Sequence, residues 1–254
     1  MPHRWRPKMS WVVVLSLLSS SGVFASEGTT TKTRARKLQT STTTPVARSD
    51  KWWAQRQEKI NANVGKGDAQ LLMIGDSITQ GWEGNGAREV WKKYYGNRHA
   101  VNLGIGGDQT QHVLWRLEHG NVDGIHPKLA VLMIGTNNSA SNTPEQIAAG
   151  VKAIVEKLRS NLPATKVLVL AIFPRGPNPE NRFRKVNEAT NEIISKLADN
   201  QNVFYLDIGK KFLQENGTLS KDIMPDLLHL SSQGYEIWGS SIEPTVARLM
   251  AEKE

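Results

Sequence analysis

The chain has 254 residues, no cysteine, 39% hydrophobic and 22% charged residues, enough for a sizeable core in one domain of about 200 residues with room for a tail. This excludes a wholly disordered or collagen-like chain, and the missing cysteine excludes a thiol nucleophile, a zinc–thiolate site, a disulfide framework and a lipid-modified N-terminal cysteine. The net charge of +8 first suggests a nucleic-acid binder, but residues 1–49 hold eight Lys and Arg against one acid; the remainder is nearly neutral, and no nucleic-acid partner is expected.

Arg4, Arg6 and Lys8 precede a short apolar run, Trp11 to Leu18, and Val23-Phe24-Ala25 offers a cleavage site before Ser26. Residues 1–25 therefore read as an export signal. The run falls short of the roughly 20 apolar residues that a span needs, so no stable membrane span is expected after cleavage. Residues 26–49 are basic and Thr-rich, lack apolar periodicity and read as a disordered linker. An exported chain without cysteine fits a secreted or periplasmic bacterial enzyme.

Residues 50–254 read as one domain in which strands and helices alternate. Asp50 to about Val64 is expected to be helical, and Gln70 to Ile74 is a short buried strand ending at Gly75. A helix follows near Gly86 to Tyr95, then a strand at Ala100 to Leu103 that ends at Gly104. Asp108 can cap a helix that contains Val113, Leu114 and Leu117, and takes in His112 and His119. Leu129 to Ile134 is the third strand, closed by Gly135. Thr143-Pro144 opens a helix that reaches about Leu162. Val167 to Ile172 is the fourth strand, Asn181 to Ala198 a helix, Val203 to Leu206 the fifth strand and Ser232 to Met250 the last helix, with a bend expected at Pro244. Continuous apolar strands joined by helices predict an α/β parallel sheet covered on both faces.

In such sheets ligands sit at the carboxyl ends of the strands. Those positions hold Gly75-Asp76-Ser77, Gly104-Ile105-Gly106-Gly107-Asp108, Gly135-Thr136-Asn137-Asn138 and, after the fifth strand, Asp226-Leu227-Leu228-His229. Together they supply the parts of a serine acyl-transfer site: nucleophile, Gly-rich donors, amide, imidazole and orienting carboxylate. Each part alone is weak. Ser77 could cap a helix, and Asn137 could be a turn residue. The Gly-rich segment fails the dinucleotide fingerprint at Gln109 and is no P-loop. Asp123-Gly-Ile-His126 repeats the Asp-x-x-His spacing, but it precedes a strand and so lies at the opposite edge, where it should be inert. No histidines have metal-ligand spacing, so no metal or other cofactor is expected. This reading leaves the choice between Gly106 and Gly107 open.

These four blocks, in order and each after a strand, resemble those of the SGNH (GDSL) hydrolases. Asn102 to Asp108, Gln111 to Leu117, Gly135 to Asn138, Pro174-Arg-Gly176 and Asp226 to Leu230 look most like the catalytic subunits of type Ib platelet-activating-factor acetylhydrolases. The resemblance covers residues 70–245. It implies a three-layer, flavodoxin-like fold with a five-stranded sheet in order 2-1-3-4-5. It implies Ser77 as nucleophile, His229 as base and Asp226 as its partner. The implied oxyanion donors are the Ser77 N–H, the Gly107 N–H and the Asn137 amide.

The expected reaction is hydrolysis of a short-chain, acetyl-type ester, with an acetylated glycan or small molecule as substrate. Short connections with no lid-sized insertion point to an open cleft. Trp82, just beyond the nucleophile, is a candidate sugar platform or a core residue. The alternatives are a lipid acetylhydrolase or lysophospholipase, and a carbohydrate-binding protein that has lost catalysis.

Overall fold

A computed structural model describes residues 42–84 and 86–251. The expected signal segment and residues 26–41 of the expected linker lie outside these. Five parallel strands, β1 (Leu71–Gly75), β2 (Ala100–Gly104), β3 (Leu129–Met133), β4 (Lys166–Leu170) and β5 (Val203–Leu206), form one sheet in the order β2-β1-β3-β4-β5. Pairing is in register from Leu71↔Ala100 on one side of β1 and Leu71↔Leu129 on the other.

Helices cover both faces, because successive strand side chains point to opposite sides. Leu72, Ile74, Ala130, Leu132, Val167 and Val169 pack with α1 (Lys51–Val64), α4 (Thr110–Leu117), α5 (Pro144–Asn161) and α6 (Arg182–Ile194). Leu71, Met73, Leu129, Val131, Leu168 and Leu170 pack with α2 (Ser77–Gln80), α3 (Arg88–Tyr95) and α7 (Ser232–Ala251). Among the described residues no helix is long and apolar enough to cross a membrane.

Local chemistry explains most helix starts. Thr143 and Gln146 form a reciprocal capping box at α5, with Pro144 at the first position. Asn181 accepts the N–H groups of Phe183 and Arg184 at α6. At α4 the expected cap is displaced. Asp108 is fully buried and ion-paired to Arg116 (2.8 Å), and Gln109 takes the cap position, its N–H donating to His112 Nδ1 (3.0 Å). His119 falls beyond the helix end. Pro144 to Asn161 and Ser232 to Ala251 match the expected helices closely, the latter running through Pro244 as one element.

Two expectations need correction. Residues 42–49 are not linker. Thr42 is fully buried, donates to the Gln146 carbonyl (2.8 Å) and accepts from Thr110 Oγ1 (2.9 Å), while Val46 N–H reaches the Gln111 carbonyl (3.1 Å). Local propensity hid this, because the segment docks through polar contacts rather than an apolar stripe. Nor are all connections short. Residues 207–231 join β5 to α7 without a long regular element. They fold on themselves through a Leu213↔Leu219 bridge and bury Phe212 and Met224, so the segment is packed rather than a lid.

Candidate active site

Every β-strand carries a polar group just past its carboxyl end, and the parallel sheet collects them at one edge. After β1, Asp76 accepts the Ile78 N–H (3.0 Å) and so caps the single turn of α2. Ser77 is thereby placed at the first helical position, where its own N–H has no intrahelical acceptor. Tyr235 from α7 pins the turn by donating to the Ile78 carbonyl (2.7 Å).

The imidazole arrives from the far end of the chain. Asp226 Oδ1 accepts the N–H groups of Leu228 (3.0 Å) and His229 (2.7 Å), and Oδ2 lies 2.6 Å from His229 Nδ1. Closing this tight loop puts Leu227 at φ 62°, a region that a branched side chain avoids. The Leu227 carbonyl is held in turn by Gly176 N–H (2.8 Å). With the proton on Nδ1 facing the carboxylate, Nε2 is an acceptor, and Ser77 Oγ lies 2.9 Å from it. Burial alone would raise the Asp226 pKa, but its hydrogen bonds to His229 prevail and hold the carboxyl below its usual range. The site is open: the His229 and Asp226 side chains are 45% and 56% exposed. A cavity of about 330 Å³ beside them is lined by Ser77, Gly81, Gly84, Ala87, His229 and Tyr235.

The loop after β2 supplies the donor that the sequence left undecided. Gly106 N–H is taken by Gln80 Oε1 (2.7 Å), whereas no acceptor among the described residues meets Gly107 N–H. Gly107 has φ +74°, which favours glycine. Beneath it, buried Asp108 fixes the loop, taking Trp53 Nε1–H (2.7 Å) and Arg116 Nε–H (2.8 Å). After β3, one amide hydrogen of Asn137 is held by the Asp108 carbonyl (2.9 Å), which orients the group and leaves its second hydrogen available.

The structure does not bring Trp82 to this site. Its ring is 1% exposed and packs among Trp91, Tyr95, Tyr235 and Trp238. It lines a separate cavity of about 440 Å³ against β2, which no residue of the Ser77–His229–Asp226 chain lines. A ring so buried offers no face to a substrate. Asp123 and His126 are exposed and lie before β3, at the other end of the sheet from Ser77.

Two groups at the edge were not singled out from the sequence as site residues. Arg175, past β4, donates to Thr136 Oγ1 (3.2 Å) and packs its guanidinium on Phe183 (4.9 Å). It is electrostatically coupled to Asp76 and Asp226. The sequence signal was its position after a strand. Asp76 is the second. Fully buried, and with no partner for Oδ2 among the described residues, it is pushed up to about 7, chiefly by burial and further by Asp108; the Ile78 N–H, His229 and Arg175 oppose the shift.

Asp76 makes stability depend on pH. Its ordinary value is 3.8. Between about pH 4 and 7 the unfolded carboxyl is ionised while the folded one stays protonated, so the folded state binds more protons and stability falls as pH rises. Above 7 both forms are ionised and the slope vanishes. Asp76→Asn keeps an oxygen for the Ile78 N–H and removes the titration. The stability of the variant relative to wild type should therefore climb from pH 4 to 7, then level off in urea melts. A difference independent of pH would show that Asp76 does not titrate there.

Known proteins resemble this chain over most of its length. The model of a family described as GDSL-like lipase/acylhydrolase matches residues 73–237. The chain is 37% identical over 214 residues to human platelet-activating factor acetylhydrolase IB subunit alpha1, covering 83% of this chain and 90% of that protein. Among solved structures, an acetyl xylan esterase superposes with a TM-score of 0.59 at 23% identity, covering 70% of this chain and 99% of that one. A variant of an acetylxylan esterase from Geobacillus stearothermophilus gives 0.56 at 17% identity, covering 73% and 95%. At those identities the two structures speak for the fold.

Proposed function

Because this chain belongs to the GDSL-like lipase/acylhydrolase family and is a carboxylic ester hydrolase, we propose that it removes short acyl groups, acetyl above all, from carbohydrate esters through a serine acyl-enzyme. The observation that carries this reading is the unbroken hydrogen-bond chain from Asp226 through His229 to Ser77 (2.6 and 2.9 Å).

In the first step Ser77 Oγ attacks the ester carbonyl as its proton passes to His229 Nε2. Asp226 holds the imidazole in the required tautomer and stabilises the cation that forms. The N–H groups of Ser77 and Gly107 and the second amide hydrogen of Asn137 receive the oxyanion. Collapse expels the alcohol, which takes the proton from His229. A water then gives its proton to His229 and attacks the acyl-enzyme, and the proton returns to Ser77 as the acid leaves.

Small cavity volume and half-exposed triad side chains support a short acyl group and a bulky alcohol. The export reading of residues 1–25 supports an extracellular polymer as the source of that alcohol; N-terminal sequencing of the secreted protein tests cleavage before Ser26. A lipid acetyl ester is the second reading, favoured by the name of the relative at 37% identity. Acetate release from acetylated xylo-oligosaccharides and from a 2-acetyl glycerophospholipid, compared by kcat/KM, separates them. A higher value for the lipid would reverse the order.

The donor role of Asn137 has its own test. Donation matters most when the oxygen is charged, so Asn137→Ala should lower kcat more than it raises KM. The loss should be about 100- to 1,000-fold, and Asn137→Asp should lose at least as much because a carboxylate repels the oxyanion. Full kcat in Asn137→Ala would leave Asn137 as a turn residue only.

A further inference from the structure

The two tryptophans that open α1 face opposite ways. Trp53 is buried, donates to Asp108 and packs against Trp115 (5.3 Å). Its neighbour Trp52 is 47% exposed; among the described residues it and Val46 are the large hydrophobic side chains left at the surface. A bulky indole in water is costly, and its place in the molecule is telling. A Cβ built on Gly106 would lie 3.9 Å from the Trp52 ring and 3.7 Å from Ser77 Cβ. The ring and the nucleophile thus flank the same glycine, whose third neighbour is the Gln80 side-chain oxygen (3.3 Å) that takes the Gly106 N–H.

Trp52 is also held. The Arg48 guanidinium lies over the ring, 5.0 Å from its centre. Arg48 is itself anchored, donating from Nη1 to the Gly106 carbonyl (2.6 Å) and from Nε to Asp50 (2.9 Å). The ring is therefore fixed beforehand beside the oxyanion loop, with the guanidinium over one face and 47% of the residue still exposed.

We propose that Trp52 is the platform on which the pyranose ring of the ester's alcohol stacks, on the face that the Arg48 guanidinium leaves open. This rests on the carbohydrate-ester reading above and names the part of the protein that recognises the sugar. A pyranose has one C–H face, which is what a lone indole with one open face matches. An alkyl chain needs a continuous apolar track, and among the described residues Trp52 and Val46 are the exposed large hydrophobic side chains.

The test uses the mature chain and two acetyl esters, an acetylated xylo-oligosaccharide and ethyl acetate, which has no ring to stack. Trp52→Ala should raise KM for the oligosaccharide about tenfold or more. It should leave kcat on that substrate, and kcat/KM on ethyl acetate, within about twofold, and Trp52→Phe should recover most of the binding. An unchanged oligosaccharide KM overturns the proposal, as do equal losses on both esters, which would mean a distorted oxyanion loop. A shifted elution volume in size-exclusion chromatography also overturns it, by assigning the indole to a contact between copies. If the wild-type enzyme cleaves ethyl acetate but not the oligosaccharide, the carbohydrate reading itself fails, before Trp52 enters.

Discussion

Ser77→Ala folds like the wild-type protein and loses roughly six orders of magnitude in kcat, as removal of a serine nucleophile does in serine hydrolases. The fold should not notice the change. The α2 turn is capped by Asp76, not by Ser77, and alanine is the best helix former. The lost hydroxyl makes its hydrogen bond to His229, an exposed side chain that water can satisfy. What remains is the oxyanion loop and substrate binding, so residual turnover should stay about 1,000- to 10,000-fold above the uncatalysed rate. Circular dichroism with acetate release on 4-nitrophenyl acetate measures both halves of the claim. Activity near wild type in a folded variant would remove Ser77 from the chemistry.

His229→Ala should be about as severe, because nucleophile and base act as a unit and losing either disables both. The comparison that gives this result meaning is His126→Ala. Both histidines lie three residues after an aspartate, and both are at the surface. They differ in which end of the sheet they occupy, and a strand of five residues separates those ends by roughly 17 Å. His126→Ala should leave kcat/KM within about twofold. Comparable losses from the two variants, with both proteins folded, would mean that position at the sheet edge is not what selects His229.

Much of this architecture could be read from residue pattern, because a parallel sheet writes itself as uninterrupted apolar runs. Leu129–Met133 and Val203–Leu206 were bounded by glycine or polar residues within a residue of their true ends. The members of the Ser77–His229–Asp226 chain were legible for a related reason: each follows a strand, and topology brings strand ends together. Pattern failed where contacts are polar and remote. Asp108 looks like a helix cap by its neighbours, yet an arginine eight residues on and a tryptophan 55 residues back draw it inside. Thr42 belongs to a run of threonines with no periodicity, and partners 68 and 104 residues away order it. The two aromatic residues were indistinguishable by type; tertiary packing sent Trp82 inward and left Trp52 out.

Ser77 and His229 are separated by 152 positions along the chain, and the segment that delivers the histidine is the last irregular stretch before the final helix. A ribosome adding about 5–20 residues per second completes β1 many seconds before it reaches Asp226. Until then the nascent polypeptide holds a serine with no base and is chemically mute. Turnover therefore reports on a closure 152 positions wide rather than on compaction, and loop closures of that span are slow. In a refolding experiment, recovered ester cleavage should trail recovered helical signal. A protease nick within 207–231 should silence the enzyme while the five strands still pair.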